Sequence, residues 1–113
     1  MPRQNLTPET TPLDVVRAVR RLGQNIMRAR IRRGLRQADL AKKTGLALGT
    51  LQRIEAGNPT TAISAYFAAL WALGLEREFE NLGAPDKDEV GKTLELARQP
   101  KRVRTSGGLD ADF

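Results

Sequence analysis

The chain has 113 residues, with 19 Lys plus Arg against 13 Asp plus Glu and a net charge of +6. That length fits one small domain with tails, and the basic excess fits a polyanionic partner, nucleic acid first. There is no cysteine and no histidine, which excludes disulfides, thiol nucleophiles, imidazole bases and the usual zinc sites, and no apolar run approaches the roughly 20 residues of a membrane span.

Residues 1–11, rich in Pro and Thr, read as a flexible arm without an apolar signal segment. Thr11-Pro12 is a helix start, a capping side chain followed by proline at the first helical position. Val15, Val19, Leu22, Ile26 and Ala29 then recur at steps of four and three, one apolar stripe that ends near Gly34. Gly23 offers a place to split it, but the continuous stripe favours one long helix. From Val15 to Ala38 there are eight arginines and no acid. The acids gather instead from Glu76 to Glu95.

Next come a helix over 37–43, a turn at Gly45 and a second helix over 48–55. Gly57-Asn58-Pro59 is a loop. Thr60 or Thr61 caps a further helix with apolar positions Ile63, Phe67, Leu70 and Leu73, closed by Gly74. A short helix follows near 76–82, and Ala84-Pro85-Asp86 breaks it. Residues 88–98 suit a helical turn or two, although VGKTLEL has weak strand character, and Gln99-Pro100 stops the segment. The basic-to-acidic tail KRVRTSGGLDADF completes the chain. The fold class expected is all-α: a bundle of about five helices, with a domain over 12–83 and an extension over 84–113.

The stretch RQADLAKKTGLALGTLQRIEAG holds the chemistry. A short turn between two brief helices lets the second cross the first at a large angle and project from it. Gly45 supplies the left-handed residue, Leu40, Ala41 and Leu46 face the junction, and Leu51 and Ile54 anchor the second helix. Such a helix can lie in a DNA major groove.

Gln37, Ala41, Gly45, Leu51 and Ile54 stand at the diagnostic offsets of the phage-repressor-like (XRE-type) helix-turn-helix family, which the segment from Leu22 to Leu75 resembles. The resemblance implies a lambda-repressor-like fold. It implies that Arg30 and Glu55 pair as a structural clamp, and that Gln37 and Arg36 contact phosphates at the start of the supporting helix. Leu48, Gly49, Thr50, Gln52 and Arg53 would carry the reading surface: thymine methyls for Leu48 and Thr50, adenine or phosphate for Gln52, guanine or backbone for Arg53. Asn58 and Thr60 would be later phosphate contacts. The sequence departs from the family where Ala47 and Arg36 replace capping Ser or Thr, and where Gly49 stands inside a helix.

The implied function is a dimeric repressor on a palindromic double-stranded operator, with the dimer surface outside the reading unit. The segment after Gly57, with its loop, its Phe67/Leu70/Leu73 helix and its extension, also looks like the HipB-like antitoxins of HipA-type kinase toxins. That likeness implies a HipA-like serine/threonine kinase partner, which the tail ending at Phe113 would face. The alternative is a stand-alone or phage-type repressor without a toxin. An RNA-binding adaptor on the same fold is a further reading. No catalytic constellation is present, so neither enzyme activity nor a cofactor or metal is expected, and the setting expected is cytoplasmic.

Overall fold

The computed structural model describes residues 9–99. Among them are five α-helices, α1 (Leu13–Arg32), α2 (Gln37–Thr44), α3 (Leu48–Glu55), α4 (Ile63–Ala72) and α5 (Glu89–Arg98), with 3-10 helices at Glu76–Asn81 and Pro85–Lys87. None of the described residues is in a strand. The readings placed on residues 1–8 and on 100–113, including the basic KRVR run and Phe113, lie outside the described residues. No described helix is long and apolar enough to cross a membrane.

The chain divides into two compact units, one ending at Glu80 and one beginning at Asn81. In the first, α1 runs unbroken through Gly23. The helix starts one residue later than Thr11-Pro12 implied: Pro12 is the cap residue, and its carbonyl accepts from the amides of Val15 and Val16. The inward stripe is Val19, Leu22, Ile26 and Ala29 as expected, but Val15 is 43% exposed and Val16 turns partly inward instead.

Gly23 is buried because α3 comes in at backbone distance. A Cβ there would overlap the carbonyl oxygen of Ile54 and lie 2.9 Å from the amide nitrogen of Gly57. Gly57 in turn has positive φ, and a Cβ on it would overlap the Cα of Arg20. Any larger residue at either position would push α1 off α3.

The core consists of Ile26, Leu40, Leu51 and Ile54, all fully buried, with Ala29, Ala41, Tyr66, Ala69, Leu70 and Leu73. The small Ala41 and Ala69 keep α2 and α4 close, and Gly45 (φ 76°) makes the left-handed turn that ends α2. Thr44 closes the same turn: its hydroxyl donates to the carbonyls of Leu40 and Ala41 and accepts from the Leu46 amide.

Two readings of α4 are corrected. Its cap residue is Ala62, with no side-chain cap, rather than Thr60 or Thr61. Ile63 is 65% exposed, and Tyr66 and Ala69 take the inward positions. Thr60 does not cap the helix because its hydroxyl is turned back to Asn58, while Leu70 and Leu73 are buried as expected. Trp71 is 60% exposed and lies outside the core. Phe67 stacks on Phe79 with ring centroids 4.2 Å apart, which fixes the short 3-10 helix after α4.

In the second unit, residues 89–98 form ten residues of α-helix, which overturns the strand alternative for VGKTLEL. Asp88 decides it: its Oδ1 accepts the Gly91 amide at 2.9 Å and starts the helix before the Val-to-Leu pattern can pair as a strand. No described α5 residue is buried.

Candidate nucleic-acid interface

α3 presents two faces. Leu51, Ile54 and Glu55 point inward, while Leu48, Gly49, Gln52 and Arg53 are exposed on a common outward arc. Thr50 is half-buried on the flank of that arc. No acid stands in the first turn of α3, and Ala47 leaves its leading amides without a side-chain cap, so this end is electrophilic and open to an acceptor.

Gly49 fits that surface physically. Arg53 folds back along the helix and donates from Nη2 to the Thr50 hydroxyl at 3.2 Å. Its Nη1 would lie 3.8 Å from a Cβ on Gly49, an ordinary contact. The guanidinium thus sits over the leading turn of α3.

Beneath this surface is an ion-pair network. Glu55, with a side chain only 1% exposed, accepts from Arg30 Nε at 2.6 Å, from Arg30 Nη2 at 3.0 Å and from Gln37 Nε2 at 2.9 Å. Arg30 Nη1 donates to the Leu35 carbonyl at 2.7 Å. The bidentate carboxylate raises the Arg30 guanidinium pKa further above its usual value, against the opposing effect of burial. One carboxylate thus ties α1, the start of α2 and the end of α3 together. Arg30 and Glu55 form the expected pair, and Gln37 joins them, so one amide hydrogen of Gln37 is committed inside the protein.

Arg36 is the cap residue of α2 and lacks an acceptor, so the capping box is half-made: the Asp39 carboxylate accepts the Arg36 amide at 2.9 Å. The same carboxylate takes the Arg36 guanidinium at 3.0 and 3.1 Å. These hydrogen bonds hold the Asp39 carboxyl down at about 2. Asp39 had no role in the sequence reading, although an acid at the third helical position is a recognisable cap signal.

Asn58 and Thr60 are brought together. Asn58 Oδ1 accepts from the Thr60 amide at 2.7 Å and from its hydroxyl at 2.6 Å. Tyr66 fixes this turn from below by donating its hydroxyl to the Asn58 carbonyl at 2.7 Å. Burial pushes the phenol up to about 12. Tyr66 also had no role in the sequence reading, because a tyrosine at a helical core spacing carries no sign of its hydrogen-bond partner. Among the described residues no acidic cluster could hold a metal ion.

The candidate residues therefore fall into an outward arc on α3, a paired Arg36 at the start of α2, a Gln37 tied into the clamp, and an Asn58–Thr60 turn after α3. Compared with known protein families, residues 26–80 match the family model described as helix-turn-helix. Among curated proteins and among solved structures no significant match is found. The matched segment contains the clamp, the turn at Gly45, the outward arc of α3 and the core, and residues 26–80 thus carry a helix-turn-helix of the XRE type, which supports a DNA-binding transcriptional regulator.

Proposed function

We propose that the chain is a sequence-specific repressor that binds a palindromic operator as a homodimer, with α3 in the major groove, and that it is the antitoxin of a HipA-like serine/threonine kinase. The observation that carries the DNA half is the outward arc of Leu48, Gly49, Gln52 and Arg53 on a helix locked to its scaffold by the buried Glu55. Apolar and amide groups on that arc suit base edges, Arg53 suits guanine, and Arg36, Gln37, Asn58 and Thr60 suit phosphates. A phosphate would take over Arg36 from Asp39 at the start of α2. One such unit makes few base contacts, so two-fold repetition is the economical route to tight binding. The antitoxin half rests on the likeness of the Asn58–Thr60 loop, the Phe67/Leu70/Leu73 helix and the following extension to HipB-like chains.

The test is selection of duplexes from a random pool, then titration of variants on the selected and a scrambled site. Two half-sites about 34–36 Å apart are expected. Gln37→Ala should weaken both duplexes, whereas Arg53→Ala should cost about 1–3 kcal/mol on the selected site alone. A pool without enrichment would overturn sequence-specific reading. Co-expression with a HipA-like kinase encoded beside this gene should yield an inactive complex. If no complex forms, the repressor acts alone.

A further inference from the structure

α1 has six arginines, of which Arg20 lies where Gly57 packs against the helix and the other five divide into two sets. Arg30 belongs to the clamp. Arg17, Arg21, Arg28 and Arg32 stand at spacings of four, seven and four, with Gln24 filling the long interval, and all five residues are exposed. At about 3.6 residues per turn these positions form one straight stripe, and from Arg17 to Arg32 it runs about 22 Å along the helix. None of the four arginines makes an ion pair or hydrogen bond with a described residue. The one acid in α1 is Asp14, one turn before the stripe begins.

The stripe points away from the reading helix. α3 lies against the face of α1 that carries Gly23, Ile26 and Arg30, where Gly23 meets the Ile54 backbone and Arg30 meets Glu55. The stripe is about half a turn around the helix from that face. The four guanidiniums therefore project from the side of α1 opposite the one that α3 covers.

We propose that the Arg17–Arg21–Arg28–Arg32 face is a second nucleic-acid surface, which takes the phosphate backbone of a duplex segment other than the one α3 reads. The chemistry favours phosphate over an acidic protein. All four cations are arginine, whose planar fork suits phosphate oxygens. They lie in a line with Gln24 between them and the single exposed Ile31 beside it, so the surface offers charge at intervals rather than an apolar cluster for a protein anchor. A surface of this kind binds without regard to sequence and is governed by salt. It lets one protein molecule hold two duplex segments, or lets neighbouring DNA fold back on the bound site. The inference rests on the DNA-binding reading only for the duplex at α3.

The experiment compares three full-length proteins: wild type, the stripe variant Arg17→Gln/Arg21→Gln/Arg28→Gln/Arg32→Gln, and the groove variant Gln37→Ala/Arg53→Ala. Glutamine is nearly as good a helix former as arginine, and circular dichroism checks that the variants fold. The first readout is capture of a fluorescent 40-bp random duplex by a second, bead-bound 40-bp random duplex. Wild type should bridge the two. The stripe variant should still bind the bead-bound duplex but lose capture of the free one. The second readout is the salt dependence of single-duplex binding by the groove variant, which has lost Gln37 and Arg53 but keeps the stripe intact. Adding the four stripe substitutions to it should remove about 100-fold of its affinity change between 50 and 200 mM salt, the effect of roughly four phosphate contacts. Unchanged bridging and salt slope in the stripe variants would overturn the proposal. So would polyglutamate of equal charge competing for the stripe as well as duplex does, which would assign the face to an acidic protein. Loss of binding in the stripe variant alone, with the groove variant unaffected, would sustain the stripe and sink the α3 reading.

Discussion

Removal of the Glu55 carboxylate is the sharpest test of how the reading helix is held. Glu55→Ala deletes the acceptor of three hydrogen bonds, two from Arg30 and one from Gln37. Arg30 keeps its bond to the Leu35 carbonyl, and its side chain is 12% exposed. The guanidinium is then a nearly buried cation without a counter-ion. Breaking a buried pair from one side costs about 3–5 kcal/mol. Water can reach part of Arg30, so the lower end, about 3 kcal/mol, is expected. For a domain of this size that lowers the melting temperature by about 12–24 °C. The assay is urea denaturation followed by far-ultraviolet circular dichroism for wild type, Glu55→Ala, Arg30→Ala and the double variant. The double variant should be less destabilised than the sum of the singles, with a coupling of about 1–3 kcal/mol. Additive losses would mean that the pair contributes nothing as a pair. The Arg30→Met/Glu55→Leu protein should recover much of the stability, yet bind DNA less well, because Gln37 loses its anchor.

Two of the helical glycines, Gly49 and Gly23, should respond in opposite directions. Gly49→Ala has room beside Arg53 and should stabilise by about 0.5–1 kcal/mol. Gly23→Ala drives a methyl into the Ile54 carbonyl and should destabilise by about 1–3 kcal/mol; thermal melts of both proteins check this. Tyr66 is the sole tyrosine, so absorbance at 295 nm titrates it alone. Its folded pKa of about 12 lies above the ordinary 10.0, so its contribution is complete below pH 10 and is lost as pH rises through 12. Ionisation should therefore coincide with alkaline unfolding, and a transition near 10 in folded protein would refute the burial of the phenol. Asp39 has the opposite sign: its folded pKa of about 2 lies below 3.8, so its contribution is present above pH 4 and fades as pH falls through 2. The stability gap between wild type and Asp39→Asn should close over that interval in acid urea melts, and a gap independent of pH would mean that the pair with Arg36 does not form.

Much of the first unit was legible in the residues themselves. The four-and-three spacing of Val19, Leu22, Ile26 and Ala29 specifies one helix face whatever packs on it, because the period belongs to the helix. Gly45 ends α2 because left-handed backbone favours glycine at any surface position. Arg30 and Glu55 were paired only through family likeness, since 25 residues of separation carry no local signal.

Other features depended on the assembled structure. Gly23 looks like a break in α1 until Ile54 arrives and requires the space. Thr60 looks like a helix cap until Asn58 claims its hydroxyl, and α4 starts instead at Ile63. The segment Val90–Leu96 alternates well enough for a strand, and the carboxylate of Asp88 selects the helix. Gln37 could present its amide to solvent or to Glu55, and only the approach of α3 brings the carboxylate within 2.9 Å. In each case the sequence by itself determined the local preference, through period, backbone freedom and side-chain chemistry. The tertiary structure decided which partner a polar group met and which glycine had to stay bare, because those choices depend on atoms brought close only when the helices pack.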